Sequence, residues 1–190
     1  KENINILIVG PENIIVRGIY DYLKPLCPNL IIIAPSQKAS LLEGSKRFAK
    51  EFMKKNNIPT AKYHSFKKHQ VKQALDYLGT IPPPYVLKAD GLAGGKGVVI
   101  VNNRLDAEKE LKEMLVDNKF GVASNEVLIE EFLSGIELSV FVLTNGSDYK
   151  ILPVAKDYKR IGEGDVGLNT GGMGAVSPVP FANKEFMKKI

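Results

Sequence analysis

Tyr85–Val101 reads YVLKADGLAGGKGVVIV. An apolar strand ends on Lys88, a loop with Gly91, Gly94, Gly95 and Gly97 carries Lys96, and a second apolar strand follows. Stripped of side chains, the loop's backbone N–H groups can approach an anion closely. Lys88 and Lys96 add positive charge at its two ends, as a cover over a polyphosphate requires. A P-loop is excluded, because it needs G-x-x-x-x-G-K-[ST] between a strand and a helix. Asp90 occupies the first glycine position, Gly97 replaces the hydroxyl residue, and Val98–Val101 has the pattern of a strand. A dinucleotide fingerprint fails for want of the same helix. What remains is a glycine hairpin between antiparallel strands, read either as a lid over an anion or as a plain mobile turn.

The rest of the chain bounds what such a hairpin can belong to. At 190 residues, 44% hydrophobic and 25% charged, it is an ordinary globular chain of one or two domains. No apolar run reaches membrane-spanning length and no signal-peptide pattern is present. The one cysteine, Cys27, excludes an internal disulfide and favours a reducing compartment, so a cytoplasmic location is expected. The chain opens at Lys1 on a strand pattern and closes on a helix-like start, Asn183–Ile190, which reads as part of a longer protein. The net charge of +5 is concentrated in Lys46–Lys72, where nine Lys and Arg face Glu51 alone. Such a stripe is either a nucleic-acid face or a solvated helix. The scarcity of interleaved aromatics favours the latter, and a phosphate-bearing small substrate accounts for part of the charge.

Along the chain, the strand Ile4–Val9 ends in Gly10-Pro11-Glu12. A helix with Ile15, Ile19 and Leu23 on one face is expected to stop at Pro25, and Leu30–Ile33 is a second buried strand. This β-α-β order predicts a parallel sheet with ligands at its carboxyl ends, where Gly10-Pro11-Glu12 lies. Ser40–Glu43 fits a capping box, and a helix over 45–55 presents Phe48, Ala49, Phe52 and Met53. Thr60–Ala61 reads as a boundary. Beyond it come a helix near Gln70–Leu78, the hairpin, a helix capped by Asp106 with Leu111, Met114 and Leu115 inward, and a strand Val127–Phe132. Strands over 136–143 and 149–155 join through Asn145-Gly146, and Lys156–Pro180 reads as a long glycine-rich loop.

Two further segments carry candidate chemistry. Val127–Glu137, VLIEEFLSGIE, is a strand running into a linker whose main chain could bond an adenine edge while Glu137 accepts from ribose hydroxyls; the alternative is an edge strand with solvated acids. Asp157–Gly174, DYKRIGEGDVGLNTGGMG, gathers Asp157, Lys159, Arg160, Asn169 and Thr170 with Gly171 and Gly172 into a plausible phosphate or oxyanion nest; the alternative is a mobile loop of turn residues.

Together and in this order the segments resemble an ATP-grasp ligase. Gly10-Pro11-Glu12, Leu42–Lys46, Lys88–Gly97, Ile129–Leu133 and Asn169–Gly174 resemble, more closely, the phosphoribosylamine–glycine ligase family, along essentially the whole chain. The resemblance implies an α/β fold: a partial parallel-sheet N-terminal domain over 1–61, then the ATP-grasp fold. The latter comprises an α+β lid subdomain with the glycine-rich hairpin over 62–129 and the start of an antiparallel core subdomain over 130–190.

The same resemblance implies ATP-dependent joining of glycine to 5-phosphoribosylamine with Mg²⁺ or Mn²⁺, no nucleic acid and no membrane. It places Lys46 and Lys88 on the nucleotide phosphates and Gly91, Gly94, Gly95, Lys96 and Gly97 in the cover. Glu130, Glu131, Phe132 and Leu133 fall at the adenine and Glu137 at the ribose. Gly10, Pro11, Glu12, Asn169, Thr170, Gly171 and Gly172 lie near the phosphoribosylamine, with Asp157, Lys159 and Arg160 beside the acceptor substrates. Lys46, Lys88, Asp157 and Arg160 are the catalytic candidates, and no metal ligand is expected within the chain. Leu168 and Val176 depart from the family's usual proline and aromatic. Another carboxylate–amine ligase of the same superfamily, or a nucleotide-binding module without chemistry, are the competing readings. Salt-dependent nucleic-acid binding would mark a third.

Overall fold

The computed structural model describes residues 3–164 and 166–190 and, of Leu168 and Asn169, the backbone. Two compact units are present, Lys1–Leu133 and Ser134–Ile190.

The first unit opens with β1 (Ile6–Ile8), then α1 (Glu12–Val16) and α2 (Ile19–Leu26), which leads to β2 (Ile31–Ile33). β1 and β2 pair in parallel with Ile6 opposite Ile31, as the β-α-β order predicts. The expected helix stop at Pro25 is not observed. Pro25 lies inside the last turn of α2, and the Cys27 N–H still reaches the Leu23 carbonyl at 2.9 Å. So late in a helix, its missing N–H forfeits one bond only. The break falls at Gly18, whose φ of +88° ends α1. Nor are the strands buried: Leu7 and Ile32 are half-buried, whereas Ile6, Ile8, Ile31 and Ile33 are exposed. A parallel sheet needs cover on both faces, and two strands beside short helices have it on one.

Next come α3 (Gln37–Gly44) and α4 (Lys46–Lys55). The capping box expected at Ser40–Glu43 is overturned. Ser36 caps α3 by accepting from the Ala39 N–H, and Ser40 lies buried within the helix, donating to the Gln37 carbonyl at 2.7 Å. On α4, capped by Ser45, Phe48, Ala49 and Met53 are half-buried as expected, but Phe52 is exposed and the buried residue is Lys50.

The centre of the unit is a four-stranded antiparallel sheet in the order β3-β6-β4-β5. β3 (Tyr63–Lys67) is followed by α5 (Val71–Leu78), β4 (Tyr85–Ala89), β5 (Val98–Val101), α6 (Arg104–Leu115) and β6 (Glu126–Glu130). Alternation along the strands sends Leu87, Ala89, Val127 and Ile129 into one core with Leu78, Leu111, Met114 and Leu115 from the two helices. Helix α6 starts at Asn103, whose side chain accepts the Asp106 N–H at 2.9 Å, and not at Asp106. Asn103 holds extended backbone at φ −133°, which a cap requires and a residue in the first turn does not have. Strand β3 has no counterpart among the sequence-based expectations, because Tyr63, Ser65 and Lys67 dilute its apolar signal.

In the second unit β7 (Val142–Thr144) and β8 (Tyr149–Ile151) form a hairpin. Its turn takes four residues: Asn145 Oδ1 accepts from the Ser147 and Asp148 N–H groups, and Gly146 sits at φ +97°. Beyond these, the longer strands expected there persist as the Leu152 N–H bond to the Phe141 carbonyl and a bridge between Ser139 and Ala155. The long loop expected over Lys156–Pro180 is overturned too. Most of it is an antiparallel ribbon of β9 (Lys156–Gly162) and β10 (Val166–Val176). Glycine supplies no side-chain alternation for a pattern to register, whereas the backbone ladder forms without it. A last short helix, α7 (Lys184–Met187), is capped by Asn183.

Candidate functional site

The sheet register builds the centre of the first unit. Lys88 on β4 stands opposite Leu128 on β6, and Val86 stands opposite Glu130. Lys88 and Glu130 are therefore diagonal neighbours on the sheet face turned away from the α5–α6 core, within reach of long side chains. Lys88 Nζ donates to Glu130 Oε2 at 2.9 Å. Glu130 is buried, with 3% of its surface exposed, while the Lys88 side chain keeps 27%. A second ammonium reaches the same oxygen: Lys50 Nζ lies 3.0 Å from Glu130 Oε2. Lys50 also donates to Thr60 Oγ1 at 2.8 Å and to the Ala61 carbonyl at 3.2 Å, and its ammonium sits over the Tyr63 ring. Glu130 Oε1, also buried, has no hydrogen-bond partner among the described residues.

The hairpin base is tied to the start of α4. The Asp90 carboxylate accepts from the Arg47 N–H at 2.7 Å and from the Ser45 hydroxyl at 3.1 Å, and the Lys46 N–H bonds the Asp90 carbonyl. A carboxylate at a helix N-terminus satisfies orphan N–H groups and complements the helix dipole. Lys46 Nζ turns to the same base and donates to the Gly91 carbonyl at 3.1 Å. Burial pushes the Lys46 ammonium below the usual lysine pKa, against the opposing pull of Asp90 and Glu43.

The glycines of the hairpin divide by task. A Cβ at Gly97 would stand 2.8 Å from that of Ala93, and one at Gly91 would stand 3.1 Å from Ala123 Cα, so both allow close packing at the base. Gly94 and Gly95 turn the tip with φ of +57° and +77°, and the Lys96 N–H closes it on the Ala93 carbonyl. Lys96 is exposed there. Beside the base, a cleft of about 540 Å³ is lined by Asp90, Gly91, Leu92, Ala123 and Glu126 among others.

The segment after β6 leaves the sheet. The Glu131 N–H bonds the Lys62 carbonyl, and its carboxylate accepts the Lys62 N–H at 2.8 Å, so this side chain is committed to β3's approach. Phe132 and Leu133 are exposed. Gly10, Pro11 and Glu12 are exposed at the carboxyl end of β1, with Pro11 capping α1.

In the second unit Lys159 Nζ meets Asp157 Oδ2 at 3.2 Å and Glu137 Oε2 at 3.6 Å. Burial lowers the Lys159 pKa, but Asp157 and Glu137 outweigh it and hold it above the usual lysine value. Arg160, one residue on, projects to the opposite face of β9 and is not brought to this cluster. Thr170 Oγ1 donates to the Lys159 carbonyl at 2.8 Å and accepts the Gly172 N–H at 3.1 Å. These bonds span the irregular register between Asn169 and Gly174. A Cβ at Gly171 or Gly172 would meet nothing within 4 Å, so the bulge is open. Asn169 pairs with Arg160 through the backbone; its side chain lies outside the described residues.

Sequence reasoning missed Lys50 and Asp90. Lys50 lies four residues after Lys46, which places both on one face of α4; that spacing was the available signal. Asp90 carried none, since its partners are forty or more residues away.

Residues 44–190 match the family described as phosphoribosylglycinamide synthetase, ATP-grasp (A) domain. The chain is 45% identical over 190 residues to the bifunctional purine biosynthetic protein PUR2,5 of Pichia angusta, covering all of this chain and 24% of that protein. It is 46% identical over 189 residues to a phosphoribosylamine–glycine ligase of Fusobacterium nucleatum, covering 100% of this chain and 43% of the relative. Among solved structures, a phosphoribosylamine–glycine ligase of Thermotoga maritima superposes with a TM-score of 0.75 at 33% identity, over 96% of this chain and 44% of that one. The VanG D-Ala:D-Ser ligase of Enterococcus faecalis shares the fold, with a TM-score of 0.67 at 18% identity. The chain thus spans less than half the length of these curated relatives.

Proposed function

The chain belongs to the phosphoribosylglycinamide synthetase ATP-grasp family, and from that premise we propose that the full protein joins glycine to 5-phosphoribosylamine with ATP. A glycine carboxylate oxygen attacks the γ-phosphorus, ADP leaves, and the glycyl phosphate so formed is attacked at its acyl carbon by the phosphoribosylamine nitrogen. Phosphate departs, the nitrogen loses a proton, and glycinamide ribonucleotide remains. No protein nucleophile is needed, and the residues act by positioning and charge. The Fusobacterium and Thermotoga relatives carry the name of this activity. An N5-carboxyaminoimidazole synthase of Aspergillus clavatus, a neighbour by fold at 18% identity, was solved with ADP.

The observation that carries the reading is the Lys88–Glu130 pair. Lys88 spends one of its three N–H donors on Glu130, and the other two would serve phosphate oxygens. Lys46, held partly desolvated at the hairpin base, would turn its ammonium from the Gly91 carbonyl to the same phosphates. The hairpin, with exposed Lys96 at the tip, would close over them and keep water from the acyl phosphate. Adenine would bond the main chain at 131–133, and its ribose would be held by Glu137. Asp157, Lys159 and the Asn169–Gly172 bulge would receive the acceptor substrates, with Gly10-Pro11-Glu12 beside the phosphoribosylamine; Arg160, on the opposite face of β9, would not share that contact. Mg²⁺ or Mn²⁺, for which no ligand is assigned within residues 1–190, would offset phosphate charge during the transfer.

As part of the same proposal, residues 1–61 complete an N-terminal domain, 62–129 form the lid subdomain and 130–190 open the core. What supports this is that β3 starts at Tyr63 and the chain leaves the sheet after Glu130. A reaction on small soluble metabolites also fits a cytoplasmic setting.

A coupled assay of ADP release by the full protein tests the assignment, with glycine and freshly prepared phosphoribosylamine omitted in turn. Release is expected only with both present; ADP formation indifferent to glycine would overturn it.

A further inference from the structure

Lys50 is the buried residue of α4, and the nucleotide reading gives it no task. Its ammonium is 3.0 Å from Glu130 Oε2, 2.8 Å from Thr60 Oγ1 and 3.2 Å from the Ala61 carbonyl. Two of its N–H groups donate to Thr60 and Ala61, its charge is paired with Glu130, and its side chain is only 9% exposed, so the group has no open face for a ligand. Lys88 is the reverse case, with one described acceptor and a side chain that is 27% exposed. Both ammoniums converge on one carboxylate oxygen.

The charge count then decides what Lys88 can offer. Lys88 beside Glu130 alone is a neutral pair, and in a site of reduced dielectric the carboxylate would cancel most of the attraction between Lys88 and an incoming phosphate. Lys50 supplies the second cation, so the group carries one net positive charge, and the only member with free donors is Lys88. We propose that Lys50 is a positioning residue that neutralises Glu130 from behind, so that Glu130 orients the Lys88 ammonium without consuming its charge toward the nucleotide phosphates. Glu130 is thereby a two-sided anchor, with its Oε2 shared by the two lysines.

This rests on the reading that Lys88 contacts nucleotide phosphate, and the test separates the two. In the full protein, ATP and adenosine affinities are measured by titration calorimetry for wild type, Lys88→Met, Lys50→Met and Lys50→Met/Glu130→Gln, with thermal melting as a check on folding. Loss of the preference for ATP over adenosine in Lys88→Met upholds the phosphate reading; an unchanged preference there overturns that reading. Lys50→Met is expected to weaken ATP roughly tenfold or more while leaving adenosine within about threefold. The double variant removes one charge of each sign, restores the net positive charge, and is expected to recover ATP binding. An equal loss for ATP and adenosine, no loss at all, or no recovery in the double variant would each overturn the role of Lys50. Should Lys50→Met fail to fold, the double variant alone decides, since a lost preference for ATP there contradicts the charge count.

Discussion

Lys46, proposed above as a phosphate contact, shows how such a residue can oppose the fold that carries it. Its ammonium is partly desolvated, and its pKa is pushed below the 10.5 of a free lysine. In the pH interval between the lowered value and 10.5 the unfolded chain holds the proton more firmly than the folded one, so stability rises with pH across that interval. Lys46→Met is expected to flatten this rise, to leave the melting temperature near neutral pH unchanged or higher, and to weaken ATP binding. Melting curves across alkaline pH, set beside nucleotide titrations, check it; a large fall in melting temperature at neutral pH would contradict it. Asp90 is the opposite kind of residue, with both carboxylate oxygens committed to the start of α4. Asp90→Ala is expected to cost about 1–3 kcal/mol, the range for losing a helix cap and leaving partners unmet, read as a shift in the urea midpoint of the full protein.

At the scale of elements, the hairpin β4–β5 owes its shape to two different uses of glycine. A Cβ at Gly97 would press on Ala93 at 2.8 Å and lie 3.4 Å from that of Ala89. Gly97→Ala should therefore overpack the base and cost about 1–3 kcal/mol. Gly94 has open space and only its φ of +57° to defend, so Gly94→Ala should cost about 1–2 kcal/mol. Nucleotide affinity tells them apart beyond stability: moving the base displaces Lys88, which pairs with Val98 across the hairpin, whereas the tip carries Lys96. A larger loss of ATP affinity for Gly97→Ala than for Gly94→Ala is expected. The hairpin was legible because strand, glycine loop and strand are contiguous. The ribbon β9–β10 was not, since Gly171, Gly172 and Gly174 offer no alternation, and the bonds of Thr170 to Lys159 and Gly172 exist only once the strands have paired.

At the scale of the molecule, the apolar surface is unevenly placed. The β3-β6-β4-β5 sheet buries both faces at Leu87, Leu128 and Ile129, yet β1 and β2 leave Ile6, Ile8, Ile31 and Ile33 exposed. Exposed contiguous apolar surface of this kind is normally covered. Residues 1–190 expressed alone are expected to bind a hydrophobic dye more strongly per mole than the full protein, and Ile8→Lys should reduce that binding. Equal dye binding by both would show that these strands need no cover. The basic stretch Lys46–Lys72 likewise changes meaning in three dimensions, because Lys46 and Lys50 turn inward and the remainder is a broken, solvated surface.

The order of motifs along the chain determined the family and pointed to the proposed nucleotide site: a strand ending on Lys88, a glycine turn, an acidic segment at the end of β6 and the Asn169–Gly174 block are local patterns, read from neighbours in sequence. Only the tertiary structure decided which charges meet. Glu130 finds Lys88 through an antiparallel register and Lys50 through the placement of α4, across separations of 42 and 80 residues. Coulomb interaction and desolvation depend on distance and burial, and neither is set until the sheet has formed.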